Sequence, residues 1–106
     1  MTDLAVIIPC YNEALSIMDT LTQLKPAIVK LNQIYGPLDI GIWVYDNNST
    51  DNTVEKTKEW SCLNKDINVS VNQCFEQGKG NVIRQAFMEI DARAYCMIDG
   101  DNTYGV

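Results

Sequence analysis

The chain has 106 residues, of which 46% are hydrophobic and 21% are charged, so it can build the core of one domain and is too apolar for intrinsic disorder. Eight basic residues stand against fourteen acidic ones, and the formal charge of −6 argues against a nucleic-acid-binding protein because it repels phosphates. No apolar run approaches the ~18 residues that span a bilayer, and four widely spaced cysteines without any histidine argue against a structural zinc site.

The first predicted elements are a strand and a helix. Residues 4–9 form a short apolar run rich in β-branched side chains, which is typical of a strand buried on both faces. Apolar residues then recur every three or four positions from Leu15 to Leu31, and this spacing predicts a helix with one buried face. Because Pro26 falls inside this pattern, the helix is expected to kink or restart there.

The next pair of elements is again a strand and a helix. Apolar, β-branched and aromatic residues at 40–45 predict a second strand, which ends at Asp46. The helix after it is expected over about residues 51–60, and either Ser49 or Thr50 is expected to cap its amino end.

The last third of the chain predicts two further strands, at residues 67–71 and 94–98, separated by a third helix. The buried stripe of that helix is expected to consist of Val82, Ile83, Ala86, Phe87 and Ile90. Strands that alternate with helices predict an α/β fold. Residues 1–106 would form one domain, with a parallel sheet of about four strands and helices on both faces.

Polar residues follow the predicted strands at the edge where ligands bind in parallel sheets. Asp46 lies where an acidic residue holds a ribose in dinucleotide-binding folds, although it could instead form an Asx turn. Tyr11 could stack on a nucleobase, and Asn12 or Glu13 could hydrogen-bond to that base. In the alternative interpretation, Asn12 caps the first helix and Glu13 faces the dipole of that helix.

Asp99 and Asp101 flank Gly100 directly after the fourth predicted strand. Extended residues two positions apart face the same way, so both carboxylates can point at one ion. Hard carboxylate oxygens suit Mg²⁺ or Mn²⁺. The alternative is an acidic turn that only ends the strand.

A glycine-rich stretch, Gly78-Lys79-Gly80, precedes the third predicted helix. It lacks the spacing of a P-loop, and no G-x-G-x-x-G follows the first strand, so neither an ATP-binding P-loop nor a nicotinamide-binding loop is expected. Lys79 or Arg84 could approach a diphosphate, or both could be solvated surface charges.

Four motifs in register resemble family 2 glycosyltransferases over essentially the whole chain. They are V-I-I-P-C-Y-N-E at residues 6–13, D-N-N-S-T-D-N-T at 46–53, G-K-G-N at 78–81 and D-G-D at 99–101. The segments G-K-G-N-V-I-R at residues 78–84 and D-G-D-N-T-Y at 99–104 look most like the branch related to dolichol- and polyprenyl-phosphate sugar synthases. Two positions depart from the commonest family pattern, because Asn47 replaces an acidic residue and Asn102 stands where Asp is frequent.

The resemblance implies a Rossmann-like GT-A fold that binds a UDP- or GDP-linked sugar. It places Tyr11 and Asp46 near the nucleoside and Asp99 near the sugar or ribose. Asp101, together with Asp99, would hold Mg²⁺ or Mn²⁺ against the leaving diphosphate. The donor-binding residues expected on this basis are Pro9, Tyr11, Glu13, Asp46, Lys79 and Asp99.

The resemblance also implies transfer of the sugar, a hexose, to an acceptor, for which a polyprenyl phosphate is a candidate. Because the acceptor site and base of this family lie beyond D-x-D, the base is expected beyond Val106 and the chain is interpreted as the donor-binding half, truncated after the motif. The alternative is a catalytically inactive nucleotide-binding or interaction module of the same fold.

Two further expectations concern the oligomeric state and the cellular location of the chain. The edge strand of an unfinished sheet predicts that two copies can associate as a homodimer. Partly buried, reduced thiols favour the cytoplasm, and membrane association is an alternative for a longer parent protein.

Overall fold

The computed structural model describes residues 1–99, and in this range strands alternate with helices along the chain. The strands are β1 (Thr2–Cys10), β2 (Ile40–Asp46), β3 (Asn68–Gln73) and β4 (Ala92–Met97). The helices are α1 (Ile17–Tyr35), α2 (Thr53–Leu63) and α3 (Lys79–Glu89). The predicted order of elements is therefore confirmed.

The four strands of the described range form one parallel sheet in the order β3-β2-β1-β4. Their pairing brings the carboxyl ends of neighbouring strands together, because Cys10 pairs with Asp46 and Asp46 pairs with Gln73. At the other side of β1, Ile7 pairs with Met97. The loops that follow the strands consequently leave the sheet from one edge.

Helices cover both faces of the central strands, as the alternating pattern predicted. On one face, Val6, Ile8, Ile42 and Val44 pack in one apolar cluster with Ile17, Leu21, Ile28 and Trp60 of α1 and α2. On the other face, Ala5, Ile7 and Tyr45 pack with Val82, Ala86 and Ile90 of α3 and its end. The continuous apolar run of β1 is thus explained, since successive residues enter two different cores.

Two details of the predicted helices are corrected, and a third is narrowed. Leu15 is fully exposed, because α1 begins only at Ile17 and Leu15 precedes its buried stripe. Of the two outcomes predicted for Pro26, a restart is excluded, since α1 runs through this exposed residue, and a kink stays a prediction. Phe87 is 54% exposed and is not a core residue; its ring meets Tyr95 edge to face, with 4.8 Å between the ring centres.

The fourth strand is also less buried than its apolar sequence predicts. Tyr95 and Met97 are 37% and 46% exposed, and Ala94 and Cys96 are exposed as well. The reason is position, because β4 is the edge of the described sheet and pairs only with β1 there. In the described range, no helix is long and apolar enough to cross a membrane.

The cysteines were predicted to be reduced and partly buried, and burial is found for two of the four. No disulfide joins any of the four within residues 1–99, and all four are free thiols. Cys10 and Cys74 are buried, whereas Cys62 and Cys96 are exposed. Exposure follows position, since Cys62 lies in the last turn of α2 and Cys96 lies on the edge strand.

Tyr45 leads to a prediction about alkaline stability. Its hydroxyl group donates a 2.8 Å hydrogen bond to Glu89 Oε1, and burial, followed by this bond, raises the pKa of Tyr45 above its usual value. A group whose pKa is raised by folding stabilises the fold below its unfolded pKa and loses that contribution as the pH rises. We expect the free energy of unfolding to fall above about pH 10, by up to about 1.4 kcal/mol per pH unit from this group.

Urea unfolding between about pH 9 and 11 measures this effect, and Tyr45→Phe should flatten the decline. Tyr35→Phe is the matched control, since Tyr35 is an exposed tyrosine at the end of α1. An equal slope in the wild-type chain and Tyr45→Phe would contradict the prediction.

Candidate functional site

The loops at the carboxyl edge of the sheet enclose a cleft of about 230 Å³. Its lining comes from the end of β1 and the loop after it, the residue after β2, and the loop before α3 together with the first residue of that helix. The lining residues are Pro9, Cys10, Tyr11, Glu13, Asn47, Gln77, Gly78 and Lys79. Four residues predicted to bind the donor are therefore brought together, namely Pro9, Tyr11, Glu13 and Lys79.

Asp46, also predicted to bind the donor, is not part of this lining: it precedes the cleft residue Asn47 and pairs with Cys10, but it is buried, with 3% of its surface exposed. Its Oδ2 accepts hydrogen bonds from Ser49 N, at 3.2 Å, and Gln73 Nε2, at 3.3 Å. Its Oδ1 is buried and has no hydrogen-bond partner within residues 1–99. A buried oxygen without a donor is costly for the fold, so Asp46 has an unused capacity to accept a hydrogen bond.

The loop after β1 is tied to the loop after β2 through Asn12. Its backbone has a positive φ of 52°, which asparagine adopts more readily than most residues. Its Oδ1 accepts hydrogen bonds from the backbone N–H of Thr50, at 2.8 Å, and of Asp51, at 3.3 Å. In return, Asn12 N donates to Ser49 Oγ at 2.9 Å. The two loops therefore hold each other in place.

These contacts correct the predicted helix caps. Ser49 and Thr50 do not cap α2, which begins at Thr53, and Asn12 serves the neighbouring loop. The N-cap residue is Asn52, whose side chain makes no capping bond, and the residue before it, Asp51, accepts at Oδ1 from Thr53 N at 3.1 Å and also from the Thr53 hydroxyl group. These bonds, above all the one from the hydroxyl group, lower the pKa of the Asp51 carboxyl group.

Glu13 lies just before the turn that leads into α1. Its carbonyl oxygen accepts hydrogen bonds from Ser16 N, at 3.0 Å, and Ile17 N, at 2.9 Å. Its own N–H donates to Thr53 Oγ1 at 3.0 Å, which links it to α2. Tyr11 beside it is half exposed, so one side of the ring is accessible from the cleft region.

The loop between β3 and α3 is tied to the end of β2 by Asn47. The side-chain amide donates to the carbonyl oxygens of Cys74 and Glu76, both at 2.9 Å, and its Oδ1 accepts from Gly78 N at 2.7 Å. Its backbone N–H donates to Cys10 O at 2.7 Å. The sequence did not identify Asn47 as a site residue, because its partners are about 30 positions away and no local pattern indicates these contacts.

Asp99 brings a carboxylate to Lys79, with its Oδ1 2.6 Å from the Lys79 ammonium nitrogen. Asp101, the other predicted metal ligand, lies outside the described residues. Within residues 1–99, no three acidic, cysteine or histidine side chains are grouped to hold a metal ion. The chemistry of Asp99 still fits Mg²⁺ or Mn²⁺, because its oxygens are hard ligands and its side chain is 37% exposed.

Comparison with known sequences supports a single family. The sequence model of glycosyl transferase family 2 matches residues 5–105. Protein RfbJ of Shigella flexneri is 38% identical over 102 residues, which are 96% of this chain and 67% of RfbJ.

Solved glycosyltransferase structures have the same fold. A mannosyltransferase from Pyrobaculum calidifontis, in complex with GDP-Man and Mn²⁺, matches with a TM-score of 0.71 and 26% identity, over 95% of this chain and 30% of that one. Glucosyl-3-phosphoglycerate synthase from Mycobacterium tuberculosis, in complex with Mn²⁺, UDP and phosphoglyceric acid, matches with a TM-score of 0.71 and 19% identity, over 93% of this chain and 33% of that one. The chain thus spans about a third of the length of these structures.

Proposed function

The chain belongs to glycosyl transferase family 2, and from this membership and the cleft geometry we propose that it binds a nucleoside diphosphate sugar for transfer to an acceptor. The sugar is a hexose, linked to UDP or GDP. The solved relatives were crystallised with UDP or with GDP-Man, and both with Mn²⁺, which supports this class of ligand. Because the chain spans about a third of those structures, the complete reaction is assigned to the whole enzyme.

The observation that carries the proposal is the buried Oδ1 of Asp46, which has no hydrogen-bond partner within residues 1–99 and belongs to the residue before the cleft residue Asn47. A uracil or guanine ring carries N–H groups, and a ribose carries hydroxyl groups, that can donate to this oxygen. Tyr11, half exposed at the cleft, offers a ring face for the base. Nucleoside recognition is therefore assigned to the ends of β1 and β2.

The diphosphate is assigned to the other side of the cleft, where Gly78 and Lys79 lie. The Lys79 ammonium group supplies positive charge in a chain whose net charge is −6, and it is held by Asp99. Glu13 and Pro9 also line the cleft. The attraction between an ammonium group and a phosphate becomes stronger where water is partly excluded, because the local dielectric constant is lower there.

A divalent cation, Mg²⁺ or Mn²⁺, is assigned to Asp99 and Asp101. When bound, such an ion stabilises the negative charge that develops on the diphosphate as the bond to the sugar breaks. Asp99 contributes a carboxylate at the end of β4, next to the cleft residue Lys79. Asp101 is assigned from the sequence motif, two residues further along the chain.

The acceptor proposed is a polyprenyl phosphate, whose phosphate oxygen is already ionised and needs no strong base. Any catalytic base is assigned to polypeptide beyond Val106, and the site of action is the cytoplasm. The exposed edge of β4 supports association of two copies, which stays a prediction. An inactive nucleotide-binding module of the same fold is the alternative, and release of free UDP or GDP from the sugar nucleotide by the whole enzyme, in the presence of an acceptor, separates the two.

Calorimetric titration with UDP-glucose and GDP-mannose, each with and without Mn²⁺, tests the proposal. We expect one of them to bind, and Mn²⁺ to tighten its binding by about tenfold or more, equivalent to about 1.4 kcal/mol. Replacing Mn²⁺ by Mg²⁺ in the same titration identifies the preferred ion. A chain that is folded by circular dichroism but binds neither ligand under any of these conditions would contradict the proposed function.

A further inference from the structure

Asn47 is a buried polar residue whose amide is fully used. It is 4% exposed, and its side chain makes three hydrogen bonds to the backbone of one short segment, residues 74–78. The Nδ2 group donates to two carbonyl oxygens, and Oδ1 accepts from Gly78 N. Only an amide offers two donors and an acceptor in this arrangement.

The segment that Asn47 holds leads directly to the cation of the cleft. Gly78 is the residue before α3, and Lys79 is the first residue of that helix. Gly78 has a φ of 119°, a backbone conformation that residues with a side chain rarely adopt. The turn before α3 therefore favours glycine at this position. The path of the chain through Gly78 sets where the Lys79 ammonium group lies, beside Asp99.

We propose that Asn47 is a positioning residue for the donor diphosphate, because it fixes residues 74–78 so that Lys79 faces the cleft. This inference rests on the proposed function. Asn47 also lines the cleft, but its amide atoms are engaged by the backbone. Its effect on the ligand is therefore exerted through Lys79.

Two substitutions of Asn47 test the positioning role without changing the charge of the chain. Asn47→Ala removes all three side-chain hydrogen bonds to the segment and leaves two carbonyl oxygens and one N–H without them. Asn47→Ser keeps one hydroxyl group, which can replace at most part of the set. Neither variant changes the net charge, so a weaker affinity for a diphosphate is not explained by added repulsion.

A double-mutant cycle between Asn47 and Lys79 tests the coupling, with UDP and GDP as probes in calorimetry. We expect Asn47→Ala and Lys79→Gln each to weaken binding by about tenfold. In the Lys79→Gln background, Asn47→Ala should cost less than about a further twofold, because residues that act through one another are not additive. Equal losses in both backgrounds would overturn the proposal, since they would indicate a general loss of structure.

Amide hydrogen exchange provides a second measurement that does not depend on a ligand. The Gly78 N–H, bonded to Asn47 Oδ1, should exchange faster in Asn47→Ala and Asn47→Ser than in the wild-type chain. Unchanged exchange at Gly78 would overturn the proposed tether. If neither variant folds, Asn47 serves the fold as a whole and the positioning role is rejected.

The matched control is Asn32→Ala. Asn32 Oδ1 accepts a 2.9 Å hydrogen bond from Leu38 N at the opposite edge of the sheet, so the change removes a similar bond away from the cleft. Nucleotide binding should be unchanged in this variant, and a tenfold loss there would overturn the assignment to Asn47. If the wild-type chain binds no nucleotide, the proposed function fails. If the wild-type chain binds and Asn47→Ala binds equally well, only this inference fails.

Discussion

Asp46→Asn is expected to weaken the binding of the sugar nucleotide by about 10- to 100-fold, because hydrogen bonds to a charged acceptor contribute about 1.5–3 kcal/mol. The amide oxygen of asparagine can still accept from Ser49 N and Gln73 Nε2, as Oδ2 of Asp46 does now. The unpaired Oδ1 is replaced by an N–H₂ group, which cannot accept a hydrogen bond from the base or ribose.

The same variant should not lose stability, and this separates a binding role from a structural one. Burial penalises a carboxylate more than a neutral amide, so removing the charge offsets any change in local hydrogen bonding. We expect the melting temperature of the unliganded chain to stay the same or rise. Calorimetry with UDP-glucose and GDP-mannose in Mn²⁺, together with thermal unfolding, measures both quantities.

The control for this experiment is Asp91→Asn. Asp91 is exposed and precedes β4, at the opposite edge of the sheet from the cleft, so its substitution removes an equal charge without touching the site. The binding of this variant should match that of the wild-type chain. If Asp46→Asn binds as tightly as Asp91→Asn, the nucleoside assignment is wrong.

Asp101→Asn is expected to abolish the dependence of binding on a divalent cation. In the wild-type chain, removing the ion with EDTA should weaken the binding of UDP or GDP by about tenfold or more, because an ion held by Asp99 and Asp101 would supply positive charge to the diphosphate. The variant should bind these nucleotides with nearly the same affinity in Mn²⁺ and in EDTA. Titration of Mn²⁺ alone, followed by the relaxation of water protons, reports loss of the ion directly.

The control for the metal experiment is Asp66→Asn, which removes the same charge at an exposed ion pair with Lys25. Its response to Mn²⁺ should be that of the wild-type chain, since exposed pairs of this kind contribute little. Asp99→Asn should weaken Mn²⁺ binding and also release Lys79 from its 2.6 Å contact. Retention of the full Mn²⁺ effect in Asp101→Asn would refute the metal assignment.

The elements of the fold could be predicted because their signals are local. The apolar run of β1, the helical spacing in α1 and the alternation of strands with helices each depend on residues near one another in the chain. A parallel arrangement then places the carboxyl ends of the strands at one edge. For that reason the order of strands and loops along the chain is enough to predict that Tyr11 and Glu13 lie at this edge, whereas the inclusion of Pro9 and Lys79 in one donor site came from the resemblance to family 2 glycosyltransferases.

The roles of individual polar residues depended on contacts between distant segments. Ser49 and Thr50 looked like helix caps, but their partner is Asn12, 37 and 38 positions away. Asn47 stood out in the sequence only as a departure from the commonest family pattern, but it holds a segment about 30 positions further along the chain. Neither pairing follows from helical or strand periodicity.

Burial, too, was decided by position in the sheet. Apolar residues of equal hydrophobicity are buried in β1 and exposed in β4, because β1 is central and β4 is the edge of the described sheet. The sequence by itself therefore determined which elements form and at which edge the polar loops meet, since both follow from local spacing. Only the tertiary structure decided which side chains join those loops, and that Asp46 keeps a buried oxygen unpaired, since both depend on segments that are far apart in the chain.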